Sequence, residues 1–121
     1  MSLIHAYQSR GLTRDITIND VDGNAITPGT NDQIRVIIGH EGKLGTNNAD
    51  AKLVVASNAP TSDGSTFTKN SPSTGVNRLR IDASDLTFEP GTYTLFVDYF
   101  DNADTQEWKN VDRQCFVLER T

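Results

Sequence analysis

Cysteine, histidine and basic residues are scarce in this chain, and each scarcity removes a class of function. The single cysteine, Cys115, excludes an intrachain disulfide and a cysteine-rich zinc site, and two histidines, His5 and His40, are too few for a three-histidine site. Eleven basic against sixteen acidic residues give a net charge of −5, the wrong sign for neutralising phosphates. We therefore expect no cofactor, no nucleic-acid partner and no membrane partner.

Long apolar runs are also missing. No run approaches the roughly 18 residues that span a bilayer, so we expect no transmembrane segment. Residues 1–7 lack the basic and apolar regions of a secretory signal peptide, so none is expected. At 121 residues the chain has the usual size of one domain, which predicts a single domain over residues 1–121.

The chain does contain alternation of apolar and polar residues with a period of two, and no convincing helical stripe. Turn-forming pairs such as Pro28-Gly29 and Pro90-Gly91 separate the alternating segments, and residues 83–86 could form one helical turn. The pattern predicts an all-β fold, an immunoglobulin-like antiparallel β-sandwich of about seven strands. The clearest predicted strands are residues 12–18, 33–38, 51–56, 77–82, 92–100 and 108–118.

The inward phase of these strands predicts the core. We also expect Tyr93 to be buried, with its hydroxyl bonded back to nearby backbone as in a tyrosine corner. Residues 58–75 are crowded with polar residues and are interpreted as a long surface excursion pinned by Phe67, for which a short edge strand is one possible form. The predicted core residues are Ile16, Ile18, Ile34, Val36, Leu53, Leu79, Ile81, Tyr93, Leu95, Val97 and Phe116.

Motifs for phosphate or calcium binding are incomplete. Residues 39–46 follow a predicted strand as a phosphate loop should, but Leu44 stands where the loop needs a hydroxyl residue. Asp20, Asp22 and Asn24 lack the spacing of a calcium loop, and are better interpreted as a turn. Three aspartates near a later turn could form a surface calcium site only if loops converge; these are Asp98, Asp101 and Asp104.

No catalytic site is expected either. Serines in loop-like sequence, Ser57, Ser65, Ser71 and Ser73, have no nucleophile elbow and only the two histidines as candidate bases. Cys115 lies in an apolar alternation and is interpreted as a small buried hydrophobic residue. The sequence thus predicts a protein that is not an enzyme.

Aromatic residues leave two interpretations open. Trp108, Tyr99 and Phe100 near one turn could stack on a sugar ring. Alternation also places Phe96 and Phe100 opposite Tyr93, so one set lies outside the main core, where it could cover an edge or form a subunit interface. We favour packing or an oligomer contact over a glycan contact.

Three stretches, residues 15–26, residues 81–93 and residues 114–118, resemble small phage virion proteins and tail or baseplate N-terminal domains with an immunoglobulin-like fold. The resemblance implies a structural or attachment role in a virion assembled in the host cytoplasm, with other virion proteins or a second copy of the chain as partner. It implies no catalytic residues. A carbohydrate-binding or surface-binding module and a bacterial protein-interaction domain remain alternatives, because fold alone does not determine function.

Overall fold

A computed structural model describes residues 3–19, 22–24, 28–29, 31–45, 48–59, 61–71, 76–100 and 108–120. These residues are nearly all β, with a 3-10 turn at Ala83–Asp85 where one helical turn was predicted. They contain eight strands against the predicted seven or so. The strands are β1 (Leu3–Tyr7), β2 (Leu12–Ile16), β3 (Gln33–Gly39), β4 (Leu53–Ala56), β5 (Thr66–Ser71), β6 (Val76–Ile81), β7 (Gly91–Phe100) and β8 (Trp108–Glu119).

The strands form two sheets in a β-sandwich-like arrangement. The larger sheet has the order β1-β8-β7-β3-β4, and the smaller has the order β2-β6-β5. Every pairing is antiparallel except that of β1 with β8, which is parallel. The expectation of purely antiparallel sheets is therefore wrong at this edge. Two parallel strands need a long connection between them. Here that connection is all of the chain between β1 and β8, the first and last strands.

The core lies between the two sheets. All eleven residues predicted for it are buried, because a half-buried strand buries every second side chain. The core also includes residues that were not in the predicted set, among them Ile4, Ala6, Val55, Phe67, Leu86, Tyr99 and Leu118.

The start of β7 has the predicted tyrosine geometry. The chain bends at Pro90, and β7 begins at Gly91. Tyr93 is buried, and its hydroxyl donates a hydrogen bond to the Glu89 carbonyl oxygen at 2.5 Å. Phe88 packs edge-on against the Tyr93 ring. Burial raises the pKa of the Tyr93 phenol above its ordinary value, with the nearby Glu89 carboxylate as a smaller cause.

The polar stretch at residues 58–75 contains an edge strand, β5, which pairs with β6. Phe67 of β5 is buried in the core, as its role as an anchor required. Lys69 of the same strand contacts the segment that precedes β3, where its ammonium group donates to the Gly29 carbonyl oxygen at 2.8 Å. Residues 72–75 lie outside the described residues.

Candidate interaction face

The larger sheet presents a second set of side chains on the side away from the core. Alternate residues of β1 and β4 are buried, and the residues between them point to the opposite side. The cross-strand register aligns these with the outward residues of β3, β7 and β8. We call this side the outer face. Its main apolar and charged residues are Leu3, His5, Tyr7, Arg35, Ile37, Val54, Phe96, Asp98, Phe100, Trp108, Arg113, Cys115 and Val117.

Phe96 occupies the middle of the outer face, because β7 is the third of five strands and Phe96 lies near its midpoint. The register places Ile37 on one side of Phe96 and Arg113 on the other. Phe96 is 8% exposed and Ile37 is 1% exposed, although both point away from the other sheet. The Arg113 guanidinium lies 5.6 Å from the Phe96 ring centroid and forms an ion pair with Glu41. Neighbouring side chains therefore cover the centre of this face.

A second aromatic contact lies towards the end of β7. Arg35 pairs with Asp98 at 3.2 Å, and its guanidinium sits 4.0 Å from the centroid of the Trp108 ring. Phe100 contacts the same ring at a centroid distance of 5.5 Å. Arginine on a tryptophan face is a favourable cation–π arrangement. One face of Trp108 is thus occupied within the chain.

The edges of the outer face are apolar and open to solvent. Among the described residues, three large hydrophobic side chains are exposed: Leu3 at 53%, Tyr7 at 40% and Val54 at 40%. Leu3 and Tyr7 lie on β1 and Val54 lies on β4, so all three are on the outer face at its two opposite edges. The sequence reasoning missed these residues. The alternation in residues 3–7 was a usable signal, but the segment is short and includes His5.

The aromatic residues considered for sugar stacking do not form one platform. Phe96 and Phe100 lie opposite the tyrosines of β7, as the alternation predicted. Tyr99 is in the core, and its hydroxyl donates to the Asp32 carboxylate at 2.5 Å. Trp108 and Phe100 remain together on the outer face. Of the three residues considered for sugar stacking, these two are the ones that lie on the outer face.

The histidines and the described serines considered as catalytic groups are separated and engaged in structural contacts. His5 pairs with Glu119 at 2.9 Å, whereas the His40 ring packs at a tilt against the Tyr93 ring, with 4.7 Å between centroids. The Ser57 hydroxyl accepts a hydrogen bond from the Ile34 amide at 3.0 Å. The buried Ser65 hydroxyl accepts from the backbone amide of Asp82 at 2.8 Å. Nothing is described for the Ser71 side chain, and Ser73 lies outside the described residues.

The glycine segment after β3 forms a turn. The Lys43 amide donates to the His40 carbonyl oxygen at 3.0 Å, and Gly42 adopts φ +79° at the third position of that turn. A positive φ at this position is typical of glycine in a type II turn. Residues 46–47 lie outside the described residues.

The aspartates considered for calcium are only partly described. Asp98 is paired with Arg35 and also accepts from the Asn110 side chain at 3.2 Å. Asp20, Asp101 and Asp104 lie outside the described residues. Within the ranges that the structure describes, no three acidic, histidine or cysteine residues are grouped as metal ligands.

Acidic residues do gather beside the smaller sheet. A hydrogen bond with Asp85, together with its negative charge, raises the pKa of the exposed Asp63 carboxyl. Hydrogen bonds from the hydroxyl and the amide of Ser84 lower the pKa of Asp82 instead. Asp85 accepts hydrogen bonds from the Thr61 and Ser65 hydroxyls. These contacts fix the turns before β5 and after β6.

A polar cleft of about 330 Å³ lies at the end of the sandwich near the start of β3. One wall includes Gln33, whose partner in the register is Phe100. Phe100 in turn pairs with Trp108, so the cleft adjoins the aromatic end of the outer face. The lining residues are Asn31, Asp32, Gln33, Ser57, Asn58 and Lys69.

Cys115 is a free thiol on β8, as the cysteine count requires. Its register partners are Leu3 and Thr94, so it lies on the outer face. The side chain is half-buried, and the expectation of a buried residue is therefore too strong. Side chains alternate along β8, and Phe116 and Leu118 point into the core, so Cys115 points to the opposite side.

Comparison with known proteins adds no relative: no family model and no curated protein matches the chain. Within the described residues, no helix is long and apolar enough to cross a membrane. The candidate site therefore depends on the geometry of the outer face.

Proposed function

We propose that this chain is a non-enzymatic protein-binding module with an immunoglobulin-like fold, which serves as a structural or attachment component of a phage virion. It acts through contacts of the outer face with other virion proteins or with a second copy of the chain. The observation that carries the proposal is the apolar and aromatic composition of that face. Aromatic residues and arginine are the types enriched at protein interfaces.

The sheet order supports the immunoglobulin-like part of the proposal. In immunoglobulin constant-type domains, the first, second, fourth and fifth strands share a sheet, and the third, sixth and seventh strands form the other. Here β2, β5 and β6 form one sheet, and β3, β7 and β8 lie together in the other with β4 added beside β3. The first strand differs from that pattern, because β1 pairs with β8. Tyr93 supplies the tyrosine corner near the start of β7. Leu95 takes the place, two residues later, where antibody domains carry a cysteine.

The virion role rests on the resemblance of the three stretches. The second and third include buried residues, Ile81, Leu86, Tyr93 and Phe116, so their pattern also serves the core. Part of the first stretch lies outside the described residues. Assembly in the host cytoplasm and a location in the tail, the baseplate or the head follow from the same resemblance and are proposed with it.

Particle composition tests this proposal. We expect peptides of this chain in mass spectra of purified phage particles from the source strain, and genes for tail or head proteins beside its gene. We expect Val54→Glu, which places a charge on the outer face, to reduce incorporation of the protein into particles. Thr68→Glu on the smaller sheet should be incorporated like the wild type. Absence of the chain from particles would reject the virion role.

A glycan-binding module is a second candidate, favoured by the polar cleft beside Phe100 and Trp108. Amide and carboxylate groups bind sugar hydroxyls, and an aromatic ring can stack on the sugar. A glycan array would show a specific hit that Gln33→Ala and Trp108→Ala both abolish, while Thr68→Ala retains it. An array without a hit would reject this candidate.

A further inference from the structure

We propose that residues 40–45 form a lid over one end of the outer face, and that this lid opens reversibly to expose the apolar centre of the face. The inference deepens the proposed function and rests on it for the partner, because it states when the face becomes available for binding. The opening itself is a property of the isolated chain, so it can be measured without a partner.

Gly39 provides the seat of the lid. It is the last residue of β3, and it points to the outer face because Ile37, two residues earlier, does so. Gly39 is buried on that face although it has no side chain. A Cβ added at Gly39 would overlap the Leu44 Cδ2 and lie 3.7 Å from the Leu44 Cγ. Leu44 therefore occupies the space that a side chain at position 39 would fill.

An ion pair connects the lid to the middle of the sheet. Glu41 follows β3, its partner Arg113 lies on β8, and β7 runs between these two strands. The Arg113 guanidinium also lies near the Phe96 ring. The ion pair thus spans β7, and it joins the lid to the arginine that helps to cover Phe96.

The contacts that hold the lid closed are weak. The Arg113 and Glu41 side chains are 52% and 54% exposed, and exposed ion pairs contribute little to stability. Leu44 is only half-buried. Segments with few buried contacts open locally at a lower free energy than the whole domain unfolds. The lid should therefore open far more often than the domain unfolds.

Two glycines lie on either side of the part of the lid that carries Leu44. Gly42 has φ +79° and Gly45 has φ +68°. Glycine adopts positive and negative φ about equally readily, so the backbone can change conformation at both positions. Rotation there moves Leu44 away from Gly39 and leaves the pairing of β3 with β7 intact, because that pairing ends at Gly39.

Opening of the lid uncovers the centre of the outer face. Ile37 is the outward residue next to Gly39 on β3, and Phe96 is its register partner on β7. When Leu44 leaves, Gly39 has no side chain to take its place, so water reaches Ile37 from that end. Loss of the Glu41 contact also releases Arg113 from its place beside Phe96. The open state thus presents the apolar and aromatic groups that protein interfaces use.

Thiol labelling of the purified chain tests the lid. In a Cys115→Ser background, Ile37→Cys places a thiol on the outer face and Ile38→Cys places one in the core, at adjacent positions that are both almost fully buried. Excess iodoacetamide should react with each thiol when it becomes exposed. After correction for each variant's measured free energy of unfolding, we expect the thiol at position 37 to react at least about tenfold faster, because a local opening exposes it.

Substitutions in the lid should change the labelling at position 37 alone. We expect Leu44→Ala to raise that rate about fivefold, because much of the apolar contact with the face is lost. Glu41→Gln should raise it about twofold, as for an exposed ion pair. Lys43→Ala, in the lid but exposed, is the control for Leu44→Ala. Asp15→Asn removes a comparably exposed pair of the smaller sheet and is the control for Glu41→Gln. Neither control should alter the rate.

Gly39→Ala tests the seat of the lid directly. The Gly39 backbone lies outside the left-handed region, so alanine is compatible with its conformation. The added methyl group should displace Leu44 and raise the labelling rate at position 37. Combined with Leu44→Ala, the same substitution should have a much smaller effect, because the methyl group then has less side chain to displace.

The outcomes for the lid and for the virion role are separate. Equal corrected rates at positions 37 and 38 would overturn the inference, and so would a rate at position 37 that neither Leu44→Ala nor Gly39→Ala changes. A chain that enters particles but shows equal rates would reject the lid and retain the virion role. A chain whose lid opens but that is absent from particles would reject the virion role and retain the lid.

Discussion

The two sheets of this domain share one core but have very different outer faces. On the smaller sheet the outward residues whose side chains are described are polar, and the Arg78–Asp15 pair has side chains 58% and 59% exposed. On the larger sheet the corresponding Arg35–Asp98 pair is only 24% and 14% exposed. Both pairs link adjacent strands. The same pair of residue types is therefore solvated on one face and partly desolvated on the other.

The difference shows that the larger sheet carries apolar side chains in addition to those that form the core. A sheet in a sandwich needs only its inner face to be apolar. The smaller sheet follows this rule, whereas the larger sheet carries Phe96 and Ile37 outside and covers them with neighbouring side chains. Four measurements would break or sharpen this contrast.

The largest effect is expected at Phe96. Phe96→Ala should lower the free energy of unfolding by about 2–4 kcal/mol, because the removed ring is almost fully covered. Urea unfolding at a concentration where the chain is monomeric would measure it. Thr68→Ala on the smaller sheet should change stability by less than about 0.5 kcal/mol. Equal small losses would show that the two faces do not differ.

Tyr93→Phe is next, and it tests the anchor of the strand that carries Phe96. Loss of the bond to Glu89 should cost about 1 kcal/mol, since a backbone carbonyl loses its partner. The same substitution at the exposed Tyr7 should cost less than about 0.5 kcal/mol. The raised pKa of Tyr93 implies stability that is fully present below the ordinary tyrosine pKa and is lost as the pH rises through the folded-state pKa. Tyr93→Phe should remove that alkaline loss.

The third measurement compares the stability lost in Arg113→Gln, on the outer face of the larger sheet, with that lost in Arg78→Gln, on the smaller sheet. Arg113 contacts the Phe96 ring, so its loss should cost about 0.5–1 kcal/mol. Arg78 forms an exposed pair with Asp15, and its loss should cost about 0.5 kcal/mol or less. Thermal unfolding at two salt concentrations would measure both. Salt should reduce both effects, because Arg113 also forms an exposed pair with Glu41. It should remove a larger fraction of the Arg78 effect, because Arg113 also contacts the Phe96 ring; the reverse order would contradict the contrast.

The smallest effect is expected at the turn after β6. Ser84→Ala removes the hydroxyl that holds the pKa of Asp82 low, so that pKa should rise towards its ordinary value of 3.8. A lowered carboxyl pKa gives stability that is present above the ordinary pKa and is lost as the pH falls through the folded-state pKa. Wild type and variant should therefore converge in acid. An NMR titration of the Asp82 carboxyl would measure the shift, and an unchanged value would contradict it.

The sequence predicted the residues that face the core better than the residues of the outer face. Period-two alternation identified the segments of β2, β3, β4, β6, β7 and β8 and all eleven chosen core residues. It missed β1, because that strand is short and its parallel partner lies at the other end of the chain. For β5 it gave a surface excursion pinned by Phe67 with an edge strand as one possible form, and β5 is an edge strand beside β6.

The outer face was predictable only in part. Alternation along β7 placed Phe96 outside the core. The neighbours of Phe96 depend on strand pairing, which local patterning does not determine. The contact of Arg35 with Trp108 and the apolar edges at Leu3 and Val54 require the register of four strand pairings. Two of these, β1 with β8 and β3 with β7, join strands distant in sequence.

The parallel pairing of β1 with β8 also determines how the domain would carry mechanical load. The chain enters β1 at Leu3, opposite Cys115, and leaves β8 at Glu119, opposite Tyr7. Tension applied at these two points pulls the paired strands in opposite directions along their length. All of the hydrogen bonds between them then resist together, instead of opening one after another from an end. We expect single-molecule pulling between these points to give one high-force rupture, the response of a tether that holds under strain; gradual low-force opening would contradict it.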